Sequence, residues 1–173
     1  MPSKKASKGA PGVDKRALLR AVVDDLDAAI AVMVKAAETA HEAATHAEMK
    51  PENDKDTRGL EAGYLAAGQS ERARELVQSK DALLALTPRA FTDDDEVAPL
   101  ALVTVKDTDT EEEITLFVVP VPGGKKLAHA GRTITIVSPA SPLGDAVVGR
   151  RAGDVVEVLL GPRRRELEIV SVR

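Results

Sequence analysis

Leu19, Val22, Leu26, Ala29, Met33, Ala36, Ala40, Ala43 and Ala47 follow strict 3,4 spacing over four heptads. A stripe this narrow is the seam of a coiled coil rather than the wider apolar face of a globular helix, and it requires a partner helix. Asp14 stands where an N-cap carboxylate would accept from the free amides of the first turn. The seam changes along its length, with large residues before Met33 and only alanine beyond it. Alanine layers let two helices approach closely but bury little area, so the far end of any hairpin built on this seam is thin and weakly held.

Pro51 stops the first helix, because it lacks an amide donor and clashes with the preceding turn. The run Glu48–Glu61, EMKPENDKDTRGLE, is polar and charged. It predicts the tip of an antiparallel hairpin, with residues 49–58 as the turn. The second helix is expected to start between Asp54 and Leu60 and to end near Leu86, before Pro88. Leu65, Arg72, Leu76 and Leu83 fit its seam, with Gln69 and Ser79 in line. Gly59, Gly63 and Gly68 each cost about 1 kcal/mol against alanine there. A first helix of about 34 residues extends roughly 50 Å.

Past a linker at 88–96 the period changes to two. Leu100–Val105, Ile114–Val121, Thr133–Val137, Asp154–Leu160 and Leu167–Val172 read as strands. KDTDTEEE, PGGKK and GPRRR read as connections, and SPASPLGDAVVGRR as a short helix between strands. The fold class is therefore α+β: an N-terminal coiled-coil hairpin over 13–87, then an antiparallel sheet of about five strands with one short helix over 97–173. Residues 1–12, with three lysines and little to bury, are expected to be a disordered basic tail.

Composition narrows the function classes. The aromatics are Tyr64, Phe91 and Phe117 alone, so area buried by aromatic rings does not carry the fold. No cysteine is present, which excludes disulfides and thiolate metal sites and fits a reducing compartment. No apolar run reaches the roughly 18 residues of a membrane span, and the N-terminus lacks the apolar segment of a secretory signal. The expectation is a cytoplasmic monomer with no membrane partner. A net charge of −4 argues against wrapping free nucleic acid as the main task. His41 and His46, five apart, point in different directions on a helix and read as surface residues. His129 is expected in a loop beside Lys125 and Lys126, without a nucleophile. Arg163–Arg165 reads as a solvated basic turn.

The segment ITIVSPASPLGDAVVGRRAGDVVEVLLGPRRRELEIVSVR resembles the C-terminal domain of the Gre transcript-cleavage factors. The Ser141–Pro142 step, the helix-ending Gly149, Gly153–Val156 and the last strand Glu166–Val172 occur in the family's order. YLAAGQ at Tyr64–Gln69 is similar to the segment that follows the hairpin tip in that family. The resemblance implies an immunophilin-like sheet domain docked beside the secondary channel of RNA polymerase, with the hairpin inside the channel. It also implies tip carboxylates sharing a polymerase-held Mg²⁺, no intrinsic cofactor, and contact with nascent RNA only through polymerase. The protein would then be no enzyme on its own, at most stimulating cleavage by polymerase.

Family members that cleave carry acids seven and four positions before the tyrosine. Here those positions hold Thr57 and Leu60. The tip candidates are Glu52, Asp54, Asp56 and Glu61, with Asp54 and Asp56 as the pair able to share Mg²⁺, a hard cation held by one or two carboxylates plus phosphate oxygens. Lys50, Lys55, Arg58, Tyr64, Ser141 and Pro142 are the candidate partner-binding residues. Three functions stay open: rescue of backtracked complexes, a channel binder that competes with cleavage factors without cleaving, and an interaction module for another partner.

Overall fold

The computed structural model describes residues 13–49, 58–129 and 131–173 of the 173-residue chain. Helix α1 spans Lys15–Met49 and α2 spans Arg58–Leu84, packed as an antiparallel pair. Asp14 caps α1 as expected: its Oδ1 accepts from the amides of Arg16 (2.9 Å) and Ala17 (3.3 Å). Those two bonds hold its carboxyl below the ordinary carboxylate range.

The seam departs from the strict heptad. Over 15–46 the buried residues of α1 are Leu18, Val22, Leu26, Ala40 and Ala44, while Ala43 is exposed. On α2 the buried positions are Gly59, Ala66, Ala73, Leu76 and Leu83, while Leu65 and Arg72, expected at the seam, are exposed. A straight helix of 3.6 residues per turn drifts against a 3.5-residue repeat, and steps of four absorb the drift. Alanine facing alanine also lets the upper turns close without a leucine between them.

The remaining elements are β1 (Leu102–Asp107), β2 (Glu113–Val118), β3 (Lys126–His129), β4 (Arg132–Val137), α3 (Pro142–Val147), β5 (Val155–Leu160) and β6 (Arg163–Val172). They form one six-stranded sheet in the order β3-β4-β2-β1-β6-β5. Most neighbours are antiparallel, as expected, but β2 and β4 run parallel. The reason is β3, which forms where a connection was expected. It forms the outer edge, and the chain returns through β4 between β3 and β2. His129 therefore ends a strand and does not lie in a loop. Likewise Arg163–Arg165 open β6, and only Gly161–Pro162 make the turn.

The sheet buries both faces. Val103, Val105, Leu116, Val118, Leu167 and Ile169 pack with Val147 of α3 and with Phe91 and Val97 of the linker. The opposite face, carrying Leu102, Phe117, Ile134 and Ile136, receives the hairpin. Period-two alternation thus serves two separate cores.

Candidate functional site: a projecting hairpin seated on the sheet

Leu18, Val22 and Leu26 of α1 and Leu76 and Leu83 of α2 form one cluster with Leu100, Leu102, Phe117, Val119, Val121, Ile134 and Ile136. Leu18, Leu83 and Phe117 are fully buried there. The large residues at the base of the seam therefore serve two partners at once, the other helix and the sheet. The alanines beyond Met33 serve only the other helix.

Polar contacts surround this seat. Lys125 Nζ, beside β3, donates to both carboxylate oxygens of Asp25 on α1, at 2.6 and 2.5 Å. Lys80 on α2 pairs with Asp27 on α1 at 2.5 Å. The Lys15 ammonium lies 4.6 Å from the Phe91 ring centre and the Arg89 guanidinium 3.7 Å from it, so the linker closes on the first turn of α1. Burial, reinforced by the nearby Arg89 charge, pulls the Lys15 amine down to about 8. Asp95 holds the linker by accepting from the amide and hydroxyl of Thr92, both at 2.8 Å, and from Arg89 at 3.1 Å. Those bonds bring its carboxyl down to about 2.

Beyond the seat the hairpin is thin. Val32, Val34, Leu60, Tyr64, Leu65 and Val77 are exposed, Tyr64 at 71%. A groove of about 860 Å³ runs between the helices, with Val34, His41, Ala66 and Val77 on its walls. Arg72–Glu75 and Arg74–Glu71 pair along the outside of α2.

Of the sequence candidates, Lys50, Glu52, Asp54, Lys55 and Asp56 lie outside the described residues, as do Thr57 and the basic tail at 1–12. Arg58 is the first residue of α2. Glu61 sits in the first turn of α2, where a carboxylate suits the helix dipole. His41 and His46 are exposed, as expected. Among the described residues no group of three or more histidines or acids is placed to hold a metal ion. No helix among them is long and apolar enough to cross a membrane.

Ser141 and Pro142 lie far along the chain from the hairpin and open α3, with Ser141 as N-cap and proline in the first turn. The Ser141 hydroxyl accepts from the Gly144 amide (3.1 Å) and donates to the Ser138 carbonyl (2.7 Å). A Cβ on Gly144 would lie 1.9 Å from that same carbonyl oxygen, so the bend tolerates only glycine. The Asp25–Lys125 pair joins residues 100 positions apart, and no local pattern predicts it. Only the acidic VDDLD run on a helix and the Lys125–Lys126 pair hinted at complementary charge.

The protein-family description "Transcription elongation factor, GreA/GreB, C-term" matches residues 92–173, from the linker through β6. Transcription elongation factor GreA of Rickettsia typhi is 40% identical over 72 residues, which are 42% of this chain and 41% of that protein. GreA of Azorhizobium caulinodans is 40% identical over 73 residues, 42% of this chain and 43% of that protein. The matches thus span about two fifths of the length of these relatives. The crystal structure of Thermus aquaticus Gfh1 is similar at a TM-score of 0.38 and 22% identity, covering 92% of this chain and 94% of that one. Residues 92–173, just under half of the chain, thus resemble the C-terminal domain of the GreA/GreB transcription elongation factors.

Proposed function

We propose that this chain binds RNA polymerase in the cytoplasm, seats its sheet domain beside the secondary channel and extends the hairpin into that channel to modulate elongation. The observation that supports this most is a long hairpin held rigidly at its base on a GreA/GreB-type domain. With 35 residues, α1 is about 52 Å long, and Met33 is its last residue packed into the shared cluster. About 24 Å of α1 therefore projects beyond the seat, at roughly 1.5 Å per residue. Ser141 and Pro142, on the rigid bend before α3, and Tyr64, exposed on the hairpin, are the contacts proposed for polymerase, together with Lys50, Lys55 and Arg58 at the tip.

Modulation without transcript cleavage fits the tip chemistry better than cleavage does. Leu60, at one of the two positions where family members carry working acids, is an exposed α2 residue with no oxygen to offer a metal. Thr57, at the other, has no carboxylate. Asp54 and Asp56 are the remaining carboxylates that could share a polymerase-held Mg²⁺, whose role would be to activate water and stabilise charge at phosphorus. Glu52 and Glu61 flank them.

The test uses halted, backtracked elongation complexes with the protein, its Glu52→Ala and Asp56→Ala variants, or none. The expected result is saturable polymerase binding with no faster transcript shortening. Shortening that both substitutions abolish would establish the cleaving function instead. Loss of polymerase binding at physiological salt would remove both and leave an interaction module for another partner.

A further inference from the structure

The seat between hairpin and sheet is incompletely filled. Leu26, Ala29 and Met33 of α1 and Leu76 of α2 face Leu127 and Ile136 of the sheet across a cavity of about 250 Å³. Gly123 also lines this space, and a Cβ there would meet Ser138 N at 3.0 Å and the Ile136 carbonyl at 3.2 Å. The chain therefore cannot fill the cavity from position 123, and Ala29 on the other wall is too short to do so. At about 30 Å³ per water in the liquid, the space equals roughly eight waters, yet most of its lining is hydrocarbon. Small-molecule sites have this character: an apolar pocket at a junction of structural units with a few charged groups at its edge.

The charged groups indicate the ligand class. Arg72 and Lys125 line the cavity together with one acid, Asp25, so the lining carries a net positive charge. Lys125 is already bound to Asp25, whereas Arg72, at the cavity's edge, pairs among the described residues with the half-exposed Glu75 of the same helix. An entering carboxylate has the Arg72 guanidinium as a partner that can change at small cost, since exposed pairs of this kind hold weakly. We infer that the hairpin–sheet junction is a binding site for a small anionic amphiphile, a carboxylate with an apolar body of about eight carbons, docked between Ala29 and Gly123 with its head toward Arg72. The site lies at the base of the hairpin, beside the cluster that seats it on the sheet.

Sodium octanoate is the probe, titrated into the full chain and followed by the ¹³C-methyl signal of Met33. A saturable shift is expected with a Kd of about 0.1–1 mM, the range for some ten heavy atoms at ordinary ligand efficiency. Octylammonium, with the same chain and opposite charge, should bind at least about fivefold more weakly. Ala29→Leu fills the space from α1 and should abolish the octanoate shift while the protein stays folded, and the smaller Ala29→Val should weaken it. Arg72→Ala should weaken octanoate about threefold or more and leave octylammonium unchanged. No saturable Met33 shift up to about 10 mM, undiminished binding in both Ala29 variants, or equal affinity for the two probes would overturn the inference.

Discussion

The two halves of the hairpin share helices but not a source of stability. The lower half buries Leu18, Val22, Leu26, Leu76 and Leu83 against a sheet as well as against each other. The upper half meets through Ala40, Ala44 and Ala66, and it leaves Val34, Leu65 and Tyr64 in solvent. Helix propensity alone is marginal in water, so what orders a helix is the area it packs. The difference teaches that a projecting element can be firm at its root and thin at its end when residue size is graded along one seam. A thin, alanine-faced end is also what a narrow channel would admit.

The comparison breaks most directly by truncating each half. Phe117→Ala should cost about 3–5 kcal/mol and Leu83→Ala about 2–5 kcal/mol in denaturant unfolding, because both remove side chains from the shared cluster. Ala40→Gly in the upper half should cost only about 1 kcal/mol, the propensity difference, since little packing is lost. Hydrogen exchange should show the same gradient, with the amides of residues 36–46 opening well before those of 18–30. Equal costs in the two halves, or uniform protection along α1, would mean that the sheet adds nothing to the lower half.

Much of this gradient was legible in the sequence because it is a matter of residue size at a repeating spacing. The change at Met33 from leucine and valine to alanine marks where the shared cluster ends. Register was less legible: Leu65 and Ala66 compete for one seam, and leucine's greater hydrophobicity favours the wrong one. The smaller Ala66 nevertheless takes the buried position, and Leu65 is exposed. The parallel β2–β4 pair was hidden because pairing direction leaves no mark on alternation, and β3 has only four residues. At the candidate site, Pro51 and the charge run predict a tip that lies outside the described residues, and the family resemblance supplied its proposed destination. The seat itself could not be read, since contacts such as Leu18 with the sheet join residues about a hundred positions apart.

A finer test addresses the polar contacts around the seat. Lys125→Met removes the pair with Asp25, both partners partly exposed, and should cost about 0.2–1 kcal/mol, less at high salt. The same loss should be absent from a protein already carrying Phe117→Ala if the ion pair forms only once the seat has packed, so a double-mutant cycle measures that coupling. Additive costs would show that pair and cluster act independently.

The smallest expected effect is on the acid limb of stability, and it separates the two halves by pH. Asp95 in the linker is held down to about 2 from an ordinary 3.8, first by the Thr92 amide, then by the Thr92 hydroxyl and Arg89. Asp14, capping α1 at the same end, is shifted in the same direction by the amides of Ala17 and Arg16. A folded-state pKa below the unfolded one means that the unfolded chain binds more protons as pH falls. The stabilisation is therefore complete above about pH 5 and is lost progressively between about pH 4 and 2. Asp95→Asn should flatten that part of the pH–stability curve while leaving stability at pH 7 lower than in the parent. Because both carboxylates sit at the anchored end, acid should release the linker and the first turn of α1 before it alters residues 36–46. Fluorescence from an extrinsic probe at position 90, followed from pH 6 to about 2 beside hydrogen exchange in the upper helix, measures the order. Release of the upper half first would show that these carboxylates do not govern acid sensitivity.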